Sequence, residues 1–198
     1  MTTLGDVRTR IRKDLHDLDS AAYRWADSQL DRHIGRALDE LSLAIPLEKT
    51  ALIATTNGSR DLSLATLTGL IEVEAVEFPT GSFPPAYVES SRWADTITLD
   101  VDTPPTGANA KLYYTARHTL DTSGTTLPGH LEDLVAMGAS AYAALEQGAY
   151  TIDRLNTGEQ VSQEFEAWGR ARLTAFAQLL HQYGRKNRVR GRRLFTPA

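Results

Sequence analysis

Leu4, Val7, Ile11, Leu15 and Leu18 recur at the spacing of one helical face, and Thr3 followed three residues later by Asp6 has the form of a capping box. The chain is therefore predicted to open with a helix. After a connection containing Tyr23 and Trp25, Asp27 or Ser28 can cap a second helix with the stripe Leu30, Ile34, Ala37, Leu38, Leu41 and Ile45. Pro46, which lacks an N–H, ends it.

From about Lys49 to Leu120 the hydrophobic period shortens to two, as in Leu62/Leu64, Ile71/Val73/Ala75 and Ile97/Leu99/Val101. The breaks are turn-formers: Asn57-Gly58, Pro79-Thr80-Gly81, Pro84-Pro85 and Pro104-Pro105. Several short antiparallel strands in a small sheet or sandwich follow from that pattern, with Lys111 to Ala116 as the closing strand. Helical spacing returns after Leu127-Pro128, where Leu131, Leu134, Val135, Gly138, Ala141, Tyr142 and Leu145 share a face in an alanine-rich stretch that lets another helix come close. A last helix, starting between Thr151 and Glu159, carries Val161, Phe165, Trp168, Phe176, Leu179, Leu180 and Tyr183 to about residue 183.

No fixed-period repeat or low-complexity linker divides the chain. The predicted class is α+β, mainly α: an antiparallel helical bundle with an inserted β-sheet or sandwich and an extended basic C-terminal tail. The expected parts are N-terminal helices over 1–46, a β-rich insertion over 47–122, long helices completing the bundle over 123–184, and the tail over 185–198.

Composition adds little to this until charge is considered. With 41% hydrophobic and 23% charged residues, the 198-residue chain has the usage of an ordinary folded domain. It has no cysteine, so disulfides and thiolate chemistry are excluded. The first residues lack the apolar segment of a secretory signal, and no apolar run approaches the roughly 18 to 20 residues that cross a bilayer. The expectation is a protein made in the cytoplasm, with no membrane partner. The net charge of −4 is unevenly spread, because Arg185, Lys186, Arg188, Arg190, Arg192 and Arg193 crowd the end of the chain with no acid among them. The remaining 15 basic and 25 acidic residues give the body a charge of −10. Such segregation speaks of partners rather than of fold.

Catalytic patterns are not found. Neither GxxxxGK[ST] nor GxGxxG occurs, and Gly138-Ala139-Ser140-Ala141 lies inside a predicted helix, where close packing explains its small residues. His16, His33, His118, His130 and His181 are scattered without metal-ligand spacing. Asp133, one turn after His130, suits a helix start, and Asp39-Glu40 and Glu164/Glu166 suit solvated faces. Trp25, Trp93 and Trp168 read as core or interface anchors. No cofactor, metal or enzymatic activity is expected. The tail is the candidate site: a single-signed stretch, Arg185, Lys186, Arg188, Arg190, Arg192 and Arg193, ending in Leu194-Phe195, suits docking into an acidic groove with the ring as anchor.

The entry Tyr23-Arg24-Trp25-Ala26-Asp27-Ser28-Gln29-Leu30 with Ile34-Gly35-Arg36-Ala37-Leu38 resembles the opening helices of the head-tail adaptor (connector) proteins of tailed bacteriophages. The stretch from Leu127-Pro128-Gly129-His130 to Ser140-Ala141-Tyr142 is similar to the helix that follows their β region. The resemblance spans nearly the whole chain in order of elements. It implies a homo-oligomeric ring of roughly twelve subunits, closed by head-to-tail contacts, below the portal protein. It further implies a tail that docks on the portal, a tail or stopper (tail-completion) protein on the other face, and genomic DNA passing through without sequence-specific contact. The location implied is the head-tail interface of the virion, reached from the host cytoplasm during assembly. An alternative from another class is a nucleic-acid-binding protein that uses the tail on phosphates. The acidic body and the lack of a DNA-binding signature weigh against it.

Overall fold

A computed structural model of the chain describes residues 2–152 and 159–188. Among them are four helices and two antiparallel sheets, so the class is α+β. The chain forms two compact units, one from Met1–Ile45 with His118–Val189 and one from Pro46–Arg117.

In the helical unit, α1 (Leu4–Asp14) starts as its sequence dictates: Thr3 Oγ1 accepts from the Asp6 N–H, and the Asp6 carboxylate accepts from the Thr3 N–H at 2.9 Å. α2 (Asp27–Ala44) is capped differently from the expectation. Asp27 is its first helical residue, and the Gln29 side chain reaches back to accept from the Ala26 N–H at 2.8 Å. That arrangement leaves Asp27 and Asp31 to pair with arginines of α1. α3 (Gly129–Ile152) and α4 (Glu159–Arg188) complete the unit.

One core unites all four helices: Val7 and Ile11, Leu30 and Ile34, Leu131 and Val135, Phe176 and Leu180 belong to a single buried cluster. Phe176 is fully buried, and a Cβ on Gly138 would lie 2.9 Å from its ring. That is closer than packed carbon atoms come, so the glycine admits α4 as expected, and what it makes room for is the Phe176 ring of that helix. α4 runs beyond the expected end near Tyr183 to Arg188. Gly184 does not break it, being packed where a Cβ would sit 3.0 Å from the Ala44 carbonyl oxygen. Cations in the last turns also complement the negative end of the helix dipole.

The β unit is opened and closed by two paired strands, β1 (Leu47–Ala54) and β7 (Asn109–Ala116), with Leu47 opposite Ala116. β3 (Leu70–Glu77) and β4 (Tyr87–Val88) extend this sheet in the order β1-β7-β3-β4. β2 (Asp61–Ser63), β5 (Ser90–Trp93) and β6 (Thr96–Leu99) form the second sheet, ordered β2-β6-β5. Leu62, Ile97 and Leu99 of one sheet share a core with Val76, Ala110 and Leu112 of the other. In β3 the expected alternation Ile71/Val73/Ala75 is interrupted by register shifts between Leu70 and Glu72 and between Val73 and Ala75. An extra residue at a bulge reverses which face its successors occupy. Val76 is fully buried in the core, with Leu70 and Val73 packed against it.

Candidate functional site

The connection between α1 and α2 is held by charge. Arg12 is buried, and its guanidinium donates to Asp17, to the Trp25 carbonyl at 3.0 Å and to Asp27 at 2.7 Å. Asp17, also buried, accepts from the backbone N–H of Arg24 at 2.8 Å. Arg8 adds a two-pronged pair with Asp31, and the Tyr23 ring lies 3.6 Å from the Arg12 guanidinium carbon. Taking such ions out of water is costly, and the cost is offset only because each charge finds several partners. The network therefore fixes the path of residues 15–27, including His16 in the left-handed region at φ 54°.

Beside this fixed connection lies a cleft of about 570 Å³ between residues 14–25 and the first turns of α4. Its apolar wall is aromatic. Trp25 meets Phe165 edge to face at 6.1 Å and donates its indole N–H to the Ala143 carbonyl at 3.3 Å. Trp168 stands nearby with the Arg172 guanidinium over its ring at 4.8 Å, and Arg172 pairs with Asp14. The rim carries Asp14, Asp17, Asp19 and Glu164 against a single lining arginine, Arg24, which lies over Phe165 at 5.2 Å. Among the described residues, Asp19 and Glu164 take no ion pair. Leu18 on the same rim is 65% exposed. An open aromatic wall with a carboxylate rim is suited to an incoming aromatic or aliphatic side chain with a cation beside it.

Two buried histidines sit elsewhere in the helical unit. His33 meets Glu146 at 2.6 Å, and burial pushes its pKa below the ordinary value despite the pull of that carboxylate. Burial opposes charge on Glu146 too, yet Arg32 and His33 hold it below the usual carboxylate range. His118 contacts the Ile45 carbonyl at 3.1 Å and the Thr126 hydroxyl at 3.2 Å, and burial again lowers its pKa. Tyr142 donates to Glu40 at 2.6 Å, and its pKa is pushed up to about 12, first by burial and then by that carboxylate. All three are satisfied within the unit.

Of the tail residues singled out in the sequence, Arg185 is exposed on α4, and Lys186 and Arg188 follow on the same helix. Arg190, Arg192, Arg193, Leu194 and Phe195 lie outside the described residues. The tryptophans divide: Trp25 is core, Trp168 is half-buried on the cleft, and Trp93 is 88% exposed. The cleft itself escaped sequence reasoning, since its halves lie far apart in the chain and each reads as an ordinary polar loop or helix face. Among the described residues no group of three or more His, Asp or Glu side chains is placed to hold a metal ion, and no helix is long and apolar enough to cross a membrane.

Compared with known proteins, residues 2–194 match the family model described as SU10 adaptor protein. No curated protein matches the chain.

Proposed function

The chain belongs to the SU10 adaptor protein family, and from that premise we propose that it is the structural head-tail adaptor of a tailed bacteriophage. The observation that carries this reading is the extent of the match, residues 2–194, which takes in both units and most of the basic tail. In this role the copies close into a ring of roughly twelve subunits through head-to-tail interfaces. The ring sits below the portal protein in the virion, with a tail or tail-completion protein on its other face. The protein joins other components and catalyses nothing. Its helices act as one bundle, into which the β unit is inserted.

The end of the chain, Arg185 to Phe195, is the portal-docking element in this reading. Six like charges followed by Leu194-Phe195 supply long-range attraction and a short-range apolar anchor. The body charge of −10 suits a DNA conduit, because like charge keeps the passing genome from adhering to the wall.

The test is a pull-down with portal protein and, separately, with duplex DNA at two salt concentrations, using the full chain and a chain ending at residue 188, where α4 ends. Loss of portal capture on truncation, with melting unchanged, is the expected result. Truncation that abolishes salt-sensitive DNA binding and leaves portal capture intact overturns the docking role and favours nucleic-acid binding. Electron microscopy of the portal complex checks the ring.

A further inference from the structure

The helical unit carries an open acidic and aromatic cleft, and the β unit carries an indole with almost nothing around it. Trp93 ends β5 and pairs with Thr96 of β6 across the turn Ala94-Asp95, so it stands at the tip of a hairpin. The tip is held in place: the Leu64 N–H donates to the Asp95 carbonyl at 2.7 Å, and the neighbouring Arg92 donates to the carbonyls of Ala94 and Ile71 at 3.2 and 2.9 Å. At 88% exposure the largest apolar side chain in the unit is left in water on a fixed support. Fixed, exposed tryptophans beside an arginine have the chemistry of interface anchors, because little entropy is lost when they dock.

We propose that the Trp93 hairpin tip of one copy of this chain seats in the cleft between residues 14–25 and α4 of a second copy. The inference rests on the ring reading above and names the interface that closes it. Knob and cleft complement each other in kind. The indole meets Phe165, Trp168 and the exposed Leu18; Arg92 meets Asp19 and Glu164, which hold no ion pair among the described residues; Asp95 meets Arg24. A cleft of about 570 Å³ has room for one indole and its neighbours. Because knob and cleft are different surfaces, each copy offers one of each, and the contact is heterologous, the kind that generates rings.

The chain has no cysteine, so single cysteines can be introduced cleanly. Leu18→Cys and Asp95→Cys chains are mixed, alone and with portal protein, and treated with a short bis-maleimide, while native mass spectrometry reports assembly. Mixing two single-cysteine chains ensures that any link joins two copies. The expected product is a covalent pair containing one of each chain, absent when Leu52→Cys replaces Leu18→Cys. Trp93→Ala is expected to weaken self-association about thirtyfold or more, the scale of a central anchor. Asp95→Arg should weaken it too, and adding Arg24→Glu should restore it. Oligomers that form without the link, or a Trp93→Ala chain that assembles normally, overturn the inference and leave the adaptor reading standing. A cysteine at Asp95 that links to a different protein in assembled particles also overturns it. If no oligomer forms even with portal, the mass measurement shows that the ring reading has failed, and this inference fails with it.

Discussion

The two units bury apolar surface on different terms. The helical unit gathers its core from both ends of the chain, with Ile11 and Ile34 packed in one cluster with Val135 and Phe176. The β unit draws its core, Leu62 to Leu112, from within its own continuous stretch. A small unit hides a smaller share of its surface, and here the shortfall is visible as Phe83 at 99% and Trp93 at 88% exposure. The helical unit gathers one large buried cluster, and the β unit leaves Phe83 and Trp93 in water. Predictions that separate these roles begin where the effect is largest.

Phe176→Ala removes a fully buried ring from the shared core and should cost about 3 to 5 kcal/mol. Urea unfolding followed by the helical circular dichroism signal measures it. A loss below about 0.5 kcal/mol, the range of surface positions, would mean that α4 is not part of the core. Arg12→Ala comes next, at about 3 kcal/mol, because it strands the buried Asp17 carboxylate without its ion partner. Replacing both residues by leucine should recover much of that loss. If the double substitution is no better than the single one, the cost lies in the path of the connection rather than in the unpaired charge.

Much of the helical unit was legible because its periodicity reports burial directly: Val7, Ile11, Leu30, Ile34, Leu41 and Leu131 all sit where a 3.6-residue repeat puts them. The β unit was legible as strands but less so in register. Period two holds only between bulges, and nothing local in Leu70 to Glu77 announces the shifts that bring Val76 inward. The cleft was least legible, since it exists only when Asp17 and Trp25 meet Phe165 and Trp168 from the far end of the chain. The Arg12 network was hidden for a related reason. Arg8 and Arg12 stand on an amphipathic helix where charge is expected, and only the acidic partners in the connection and on the next helix account for the burial of Arg12. Trp93 read equally as core or as interface, and the fold leaves it outside the core.

Acid should distinguish the units more gently than either substitution. His33 and His118 both belong to the helical unit, and burial lowers both pKa values below 6.5. In the unfolded chain each binds a proton near 6.5, while in the folded chain each resists until lower pH. Their contribution is therefore full above 6.5 and declines as pH falls below it. The helical urea midpoint is expected to drop between pH 7.5 and 5.5. A flat or rising midpoint over that range would contradict the lowering of these pKa values by burial.

The smallest effect sharpens the comparison most. Trp93→Ala removes more side chain than any other single substitution in the β unit could, and a tryptophan in a core would cost about 3 to 5 kcal/mol. At 88% exposure there is little burial to lose, so stability should change by less than about 0.5 kcal/mol. The backbone of the tip does not depend on the indole, because Leu64 N–H and the Ser90 to Trp93 ladder with β6 hold the hairpin. Thermal melting of the free chain, with β-sheet and helix signals followed together, checks the claim. A large loss would show that the indole supports the fold after all, and any assembly defect of the variant would then be secondary. An unchanged melt leaves a residue whose size and hydrophobicity have no use inside the free chain, which is the condition an interface anchor must meet.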